Sequence, residues 1–233
     1  MNRKLFRYKL RAMLILLGFT AFSSASAVGA KIGIIVFDGF LTSDVTAAVE
    51  VFGAASKKAW FSSYEVLLVS SEGKRQVTSE EGLTIVADAL IDKTIEFDAL
   101  IVPSAYKMKP HLRNTALIDF IKRQHKHGAW MSSNCSGALL LGEAGVLDNK
   151  RATTWAGGEK KLARLYKKVK VVVDQNVVVD EKLVTTNGGP VSYQGALTLL
   201  AKLSSYDYAL EVADAIQFSR LTPFVNSEFE PEG

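Results

Sequence analysis

The chain carries a single cysteine, Cys135, in the stretch "SSNCSGALLLGEAG". A cysteine adds to electrophilic carbon as its thiolate, and best where a turn exposes it and a local positive field favours the anion. Ser132, Ser133, Ser136, Gly137 and Ala138 surround it, and a crowded strand-to-helix turn needs such small residues. A helix beginning just after the cysteine would bring partial positive charge to the sulfur. On residue pattern alone, an inert buried thiol is the competing reading.

A nucleophile also needs a group to manage its proton and donors to hold developing charge. Asp44 sits in the first turn of a helix that follows an apolar strand, so its carboxylate can face the cleft that Cys135 faces. A carboxylate there is also what a helix N-terminus favours without any chemistry. Glu50 lies six residues on, on another face, and is either solvated or a buried, protonated cleft group. Trp155 and Tyr106 are pocket-lining or packing residues. "NGGP" at 187–190 is too short for a phosphate loop and lacks its lysine, so it reads as a tight turn near the site rim. The three histidines, His111, His125 and His127, show no ligand spacing, and there is no CxxC or HExxH, so neither a metal nor a cofactor is expected. His125 and His127 suit the C-terminal end of a basic helix.

These residues need a frame to bring them together. "KIGIIVF" (31–37) is a continuous apolar run, as a buried parallel strand would be. "TSDVTAAVEVFGAAS" predicts a helix, with Thr42 or Ser43 as N-cap and Val45, Val49 and Phe52 on one face. "YEVLLVSSEG", "LTIVADALI", "EFDALIVPSA" and "AWMSSN" read as strands, the second short and followed by a turn. "TALIDFIKRQHKHG" reads as an amphipathic helix closed by Gly128, and "SGALLLGEAGVL" as the helix after the cysteine. "RATTWAGGEKKLARLY" predicts a short strand, a turn and a helix. "KVVVDQNVVVDEKLVTTNGG" predicts hairpin strands around Asp-Gln-Asn and Asp-Glu-Lys turns. Two helices close the pattern, with Pro190 in the first turn. This alternation implies a mostly parallel sheet covered on both faces, with "FDGF", "VPSAY" and "SSNCSG" converging at the strands' carboxyl ends.

The 233 residues are 48% hydrophobic and 22% charged, a globular composition with ample core material. Residues 1–27 differ: a basic start, about 11 apolar residues and a small-residue Ala25-Ser26-Ala27 end, the order of a cleaved export signal. The apolar run is short of the ~20 residues that span a bilayer. Five of the 28 basic residues lie in that leader, which leaves 23 against 24 acids. The basic character therefore belongs to the leader and gives no support for nucleic-acid binding. "KKLARLYKKVK" has no interleaved aromatic platform and reads as solvated surface. The expected organisation is leader 1–27, one domain 28–220 and tail 221–233, in an exported (periplasmic or secreted) protein.

Four stretches resemble the DJ-1/PfpI superfamily, of the class I glutamine amidotransferase-like fold: "FDGFLTSDVTAAVEVFG", "FDALIVPSA", "SSNCSGALLLGEAGVLDNKRATTW" and "LVTTNGGPVSYQGALTLL". The branch they look most like holds isonitrile hydratases and the amino-terminal domains of AraC-type regulators. The resemblance implies a flavodoxin-like α/β three-layer sandwich with a cysteine nucleophile elbow, commonly a homodimer. It implies that Cys135 is the elbow cysteine, that Asp44 is the acid beside it and that Glu50 belongs to the branch's "EVF". Ser136 stands where threonine is usual. Two departures stand out. "VPSA" replaces "VPGG", which leaves Ser104 or Ala105 to offer a backbone N–H to an oxyanion. "RATT" runs directly into Trp155, without the branch's histidine.

The implied function is a cysteine-dependent, isonitrile hydratase-like enzyme acting on a small electrophile. Cys135 and Asp44 would be catalytic, and Ser136, Ser104, Ala105, Glu50 and Trp155 would form the oxyanion site and pocket. A non-catalytic binding module for a small ligand or partner, and a thiol-based redox sensor or protective protein, stand as alternatives.

Overall fold

Where the sequence holds unbroken runs of Ile, Val and Leu, the chain builds the middle of a sheet. The computed structural model describes residues 29–58 and 63–221, so the expected leader, and the tail from 222 on, lie outside the described residues. The first half runs β1 (Lys31–Val36), α1 (Thr42–Lys58), β2 (Glu65–Ser70), β3 (Gln76–Thr78), β4 (Thr84–Val86), β5 (Ala89–Leu90), β6 (Ala99–Val102), α2 (Lys109–Leu112) and α3 (Thr115–Lys126). The second runs β7 (Trp130–Asn134), a 3-10 turn Cys135–Gly137, α4 (Ala138–Glu143), β8 (Arg151–Ala152), α5 (Glu159–Leu165), β9 (Lys170–Val171), β10 (Val177–Asp180), β11 (Leu183–Thr186), α6 (Val191–Leu203) and α7 (Tyr206–Ala215).

Seven strands form one sheet in the order β10-β11-β7-β6-β1-β2-β5. All neighbours are parallel except the edge pair β10–β11. Parallel strands demand cover on both faces. Helices α1, α6 and α7 pack together as one layer, and α2, α3, α4 and α5 as the other. The result is the flavodoxin-like, mostly parallel α/β sandwich that the alternation predicts. Ile32, Ile34, Ile35, Leu100, Met131 and Val184 at its centre are almost wholly inaccessible.

Several local expectations are corrected. Helix α1 already includes Thr42, whose hydroxyl reaches Ser79 (2.7 Å) and the Glu81 carboxylate (2.6 Å) instead of capping. Val49 is exposed, because the buried stripe of α1 runs through Val45, Ala48, Val51, Phe52 and Ala55. Strand β9 pairs in parallel with β8, so the Asp-Gln-Asn turn closes no hairpin, whereas the turn at Glu181-Lys182 does. The helix after Cys135 is only six residues long, beyond its 3-10 turn. Pro190 is the N-cap of α6, one position earlier than expected. The small hairpin β3–β4 is only half expected: β4 lies within "LTIVADALI", whereas β3 has no counterpart in the sequence reading. It is too short for a period to show, and it docks on the β1–α1 turn through Gly39 N–H to the Thr78 carbonyl (2.8 Å).

Candidate active site

Four parallel strands end side by side, and each delivers one part of the site. β7 ends at Asn134, and the next residue, Cys135, turns to φ 49°. A non-glycine residue there is strained, and such strain clusters at functional sites. The turn is pinned from both sides. Ser136 donates its hydroxyl to the Ala105 carbonyl (3.0 Å), and Thr154 donates to the Cys135 carbonyl (2.7 Å). Gly137 lets the elbow press on the end of β6, since a Cβ there would lie 2.4 Å from the Val102 carbonyl oxygen. The turn after β11 closes in from the other side. Gly188 has φ 80°, and a Cβ on it would lie only 2.4 Å from Cys135 Cβ and 3.1 Å from Asp44 Oδ1.

Asp44 is fully buried. Its Oδ2 accepts from Ser104 N–H (3.0 Å) and from the Ser104 hydroxyl (2.5 Å). Its Oδ1 accepts from Gly189 N–H (3.0 Å) and from the Ser192 hydroxyl (2.8 Å). Asn134 supports the same residue, donating to the Asp44 carbonyl (3.1 Å) and accepting from Thr186 (2.7 Å). One carboxylate thereby ties together α1, the end of β6 and the start of α6. Burial pushes its pKa up from the ordinary value, against the opposing pull of those four hydrogen bonds.

The sulfur sits in a related environment. Burial pushes the Cys135 thiol above its ordinary value, and the negative charge of Asp44 pushes it the same way. The nearby Ser104 and Ser136 hydroxyls and the Ser136 backbone N–H pull it partly back. The helix that follows the cysteine is short, and desolvation with a carboxylate neighbour pushes toward the thiol, opposite to the expected thiolate-favouring influence.

Cys135 opens onto a cleft of about 720 Å³, within the range of small-ligand sites. Ala105, Ser136 and Trp155 line it as expected, with Leu41, Met108, Leu139 and Leu165 supplying apolar wall. Two of the expected pocket residues do not line it. Ser104 is buried behind the floor with its N–H committed to Asp44, so it cannot serve an oxyanion. Glu50 is exposed on α1 and accepts from the Tyr193 hydroxyl (2.5 Å), whose pKa it helps push up to about 12. Asp44 is placed differently too, since its carboxylate lies behind the cysteine and not on the cleft wall. Ala105 N–H remains available in a weaker sense, because its partner is the soft Met108 sulfur (3.2 Å).

None of the three histidines lines the cleft. His111 stacks on Phe37 (3.9 Å between centroids), and His127 lies 3.3 Å from Glu96. Among the described residues no cluster of His, Cys, Asp and Glu could hold a metal. The residues that sequence reasoning misses are the polar supports Ser192, Gly189, Thr186 and Thr154, and three lysines, Lys107, Lys109 and Lys161, on the cleft. Lys161 belongs to the run expected to be mere surface, yet it reaches over the Trp155 ring (5.6 Å).

The chain matches the DJ-1/PfpI family over residues 30–202. It belongs to that family. Among curated relatives it is similar to the isonitrile hydratase of Pseudomonas putida, 31% identical over 148 residues, which is 64% of this chain and 64% of that enzyme. It thus spans a little less than two thirds of that relative's length. Among solved structures it resembles Drosophila melanogaster DJ-1beta, with a TM-score of 0.73 at 20% identity, covering 82% of this chain and 98% of that one. It also resembles an AraC family transcriptional regulator from Pseudomonas putida, with a TM-score of 0.70 at 21% identity, covering 80% and 99%. Those two likenesses concern the fold.

Proposed function

We propose that this DJ-1/PfpI protein is a cysteine-dependent hydratase of small electrophiles, with isonitriles as the leading substrate class. The observation that carries the reading is the strained Cys135 elbow on an open cleft, beside the Ser104 hydroxyl that donates to buried Asp44. Ser104 donates to Asp44 and has lone pairs free to accept from the thiol. The Cys135 proton passes to Ser104 Oγ while the Ser104 proton passes to Asp44 Oδ2. The thiolate then adds to the terminal carbon of the isonitrile, forming the C–S bond and placing an electron pair on that carbon. The proton returns by the same path to the carbon and leaves a thioimidate. Water adds across its C=N bond, oxygen to carbon and hydrogen to nitrogen. The C–S bond breaks, the sulfur leaves as thiolate, the new hydroxyl yields its proton to that thiolate, and an N-substituted formamide departs. Ala105 N–H and Ser136 N–H, on residues that line the cleft beside Cys135, are the donors assigned to the developing charge.

With no histidine on the cleft among the described residues, Cys-His amidase or protease chemistry has no base to use. A binding module is the second reading, favoured by the protonated resting thiol and the apolar cleft. A redox sensor fits less well, because sensor cysteines have depressed pKa values. Export through residues 1–27, a periplasmic or secreted location, the domain limits 28–220 and a homodimer complete the proposal. Amino-terminal sequencing of the recovered protein and its mass by light scattering test the leader and the dimer.

The decisive assay incubates the protein with an alkyl isonitrile and follows formamide by chromatography. Formation above the buffer rate, abolished in Cys135→Ala, is expected. No formamide from the wild type leaves the binding reading in place of this one.

A further inference from the structure

The walls of the Cys135 cleft differ from its floor in one respect that bears on what enters. Leu41, Met108, Leu139, Leu165 and Trp155 offer an apolar and aromatic surface, while Lys107, Lys109 and Lys161 bring three ammonium groups. Among the described residues no aspartate or glutamate lines the cleft, and none of these lysines is held in an ion pair. All three are exposed, and Lys161 is positioned by lying over Trp155. Asp44 is fully buried and does not line the cleft.

We propose that the cleft selects small amphiphilic carboxylates, an apolar or aromatic body against the Trp155 wall and an anionic group at the three lysines. For the reactive end of the substrate this rests on the hydratase reading: the electrophilic carbon lies at Cys135 and the carboxylate at the rim. For binding alone it stands independently, because the lysines and the apolar wall act on unreactive molecules too. An exposed ammonium–carboxylate pair changes affinity only about two- to fivefold, so the three together give roughly tenfold or more, and salt weakens the effect.

The test uses the wild-type protein and two unreactive ligands of the same shape, phenylbutyrate and its neutral amide, titrated by calorimetry at low and high salt. The carboxylate is expected to bind at least about tenfold more tightly at low salt, with the margin shrinking as salt rises. Lys161→Ala and Lys107→Ala are each expected to narrow that margin by roughly two- to fivefold, and Lys161→Arg to keep it. Equal affinities, no measurable binding of the carboxylate, or a margin indifferent to the lysine changes overturns the proposal. A parallel comparison of an alkyl isonitrile with a carboxylate-bearing one separates the two claims. Turnover of both at equal kcat/KM keeps the hydratase and removes the anion preference. Tight carboxylate binding without any turnover does the reverse.

Discussion

Ser104 hands its hydroxyl to Asp44 Oδ2 at 2.5 Å while its own N–H meets the same oxygen at 3.0 Å, so one residue supplies two of the four hydrogen bonds that hold the buried acid. The same hydroxyl lies close enough to the Cys135 sulfur to influence its ionisation. Where the resemblance leads one to expect a glycine, this chain has a polar bridge between acid and nucleophile.

Replacing that bridge is the first test. Ser104→Gly removes a hydrogen bond to a charged group, worth about 1.5–3 kcal/mol, so kcat/KM is expected to fall roughly 10- to 100-fold. Steady-state kinetics check the effect. An unchanged kcat/KM contradicts the relay.

The pH dependence has a definite sign. Burial and Asp44 both raise the thiol, so thiolate, and with it the alkylation rate of Cys135 by iodoacetamide, keeps increasing as pH passes the ordinary value of 9.0. Asp44→Asn removes the neighbouring charge and is expected to lower the thiol pKa while turnover declines. It also lowers the melting temperature, since an amide NH2 cannot accept from the donors now facing a carboxylate oxygen. A thiol pKa that rises in Asp44→Asn contradicts this electrostatic picture.

Gly188 tests the packing behind the nucleophile. Its φ of 80°, and the 2.4 Å that would separate an added Cβ from Cys135 Cβ, leave no place for a methyl group. Gly188→Ala combines left-handed strain of about 1–2 kcal/mol with a clash against backbone-anchored atoms. The expected result is a lower denaturation midpoint and a displaced, faster-alkylating or blocked thiol. Wild-type stability and reactivity together contradict the close contact between the β11–α6 turn and the elbow.

Glu50 supplies a negative control. It lies outside the cleft and pairs with Tyr193, so Glu50→Gln is expected to leave kcat/KM unchanged. The Tyr193 phenol, now held at about 12, titrates closer to its ordinary value of 10.0 in ultraviolet absorbance. A large loss of turnover contradicts its placement outside the site.

The parts of this site that can be read from the residues are those carried by local rules. Buried apolar runs mark the strands, small residues mark the elbow, and "NGGP" marks a tight turn where Gly188 in fact meets Cys135. Asp44 is legible because it stands just past a strand end. What stays hidden depends on distant pairing. Ser192 is 148 residues from Asp44, and nothing in "PVSYQG" announces a donor to it. The state of the thiol is hidden for the same reason, since desolvation is a property of packing and the helix N-terminus is a property of sequence. Glu50 follows the family pattern but not its expected placement, because its α1 face meets Tyr193 at the surface.

Central to the proposed chemistry is a covalent bond between Cys135 sulfur and the substrate carbon. The most direct measurement is acid-quenched intact-protein and peptide mass spectrometry during turnover of an alkyl isonitrile. The account predicts a mass increase equal to one isonitrile on the Cys135 peptide, lost once substrate is exhausted and absent in Cys135→Ala. Formamide accumulating while the Cys135 peptide stays unmodified, with Cys135→Ala as active as the wild type, would contradict it.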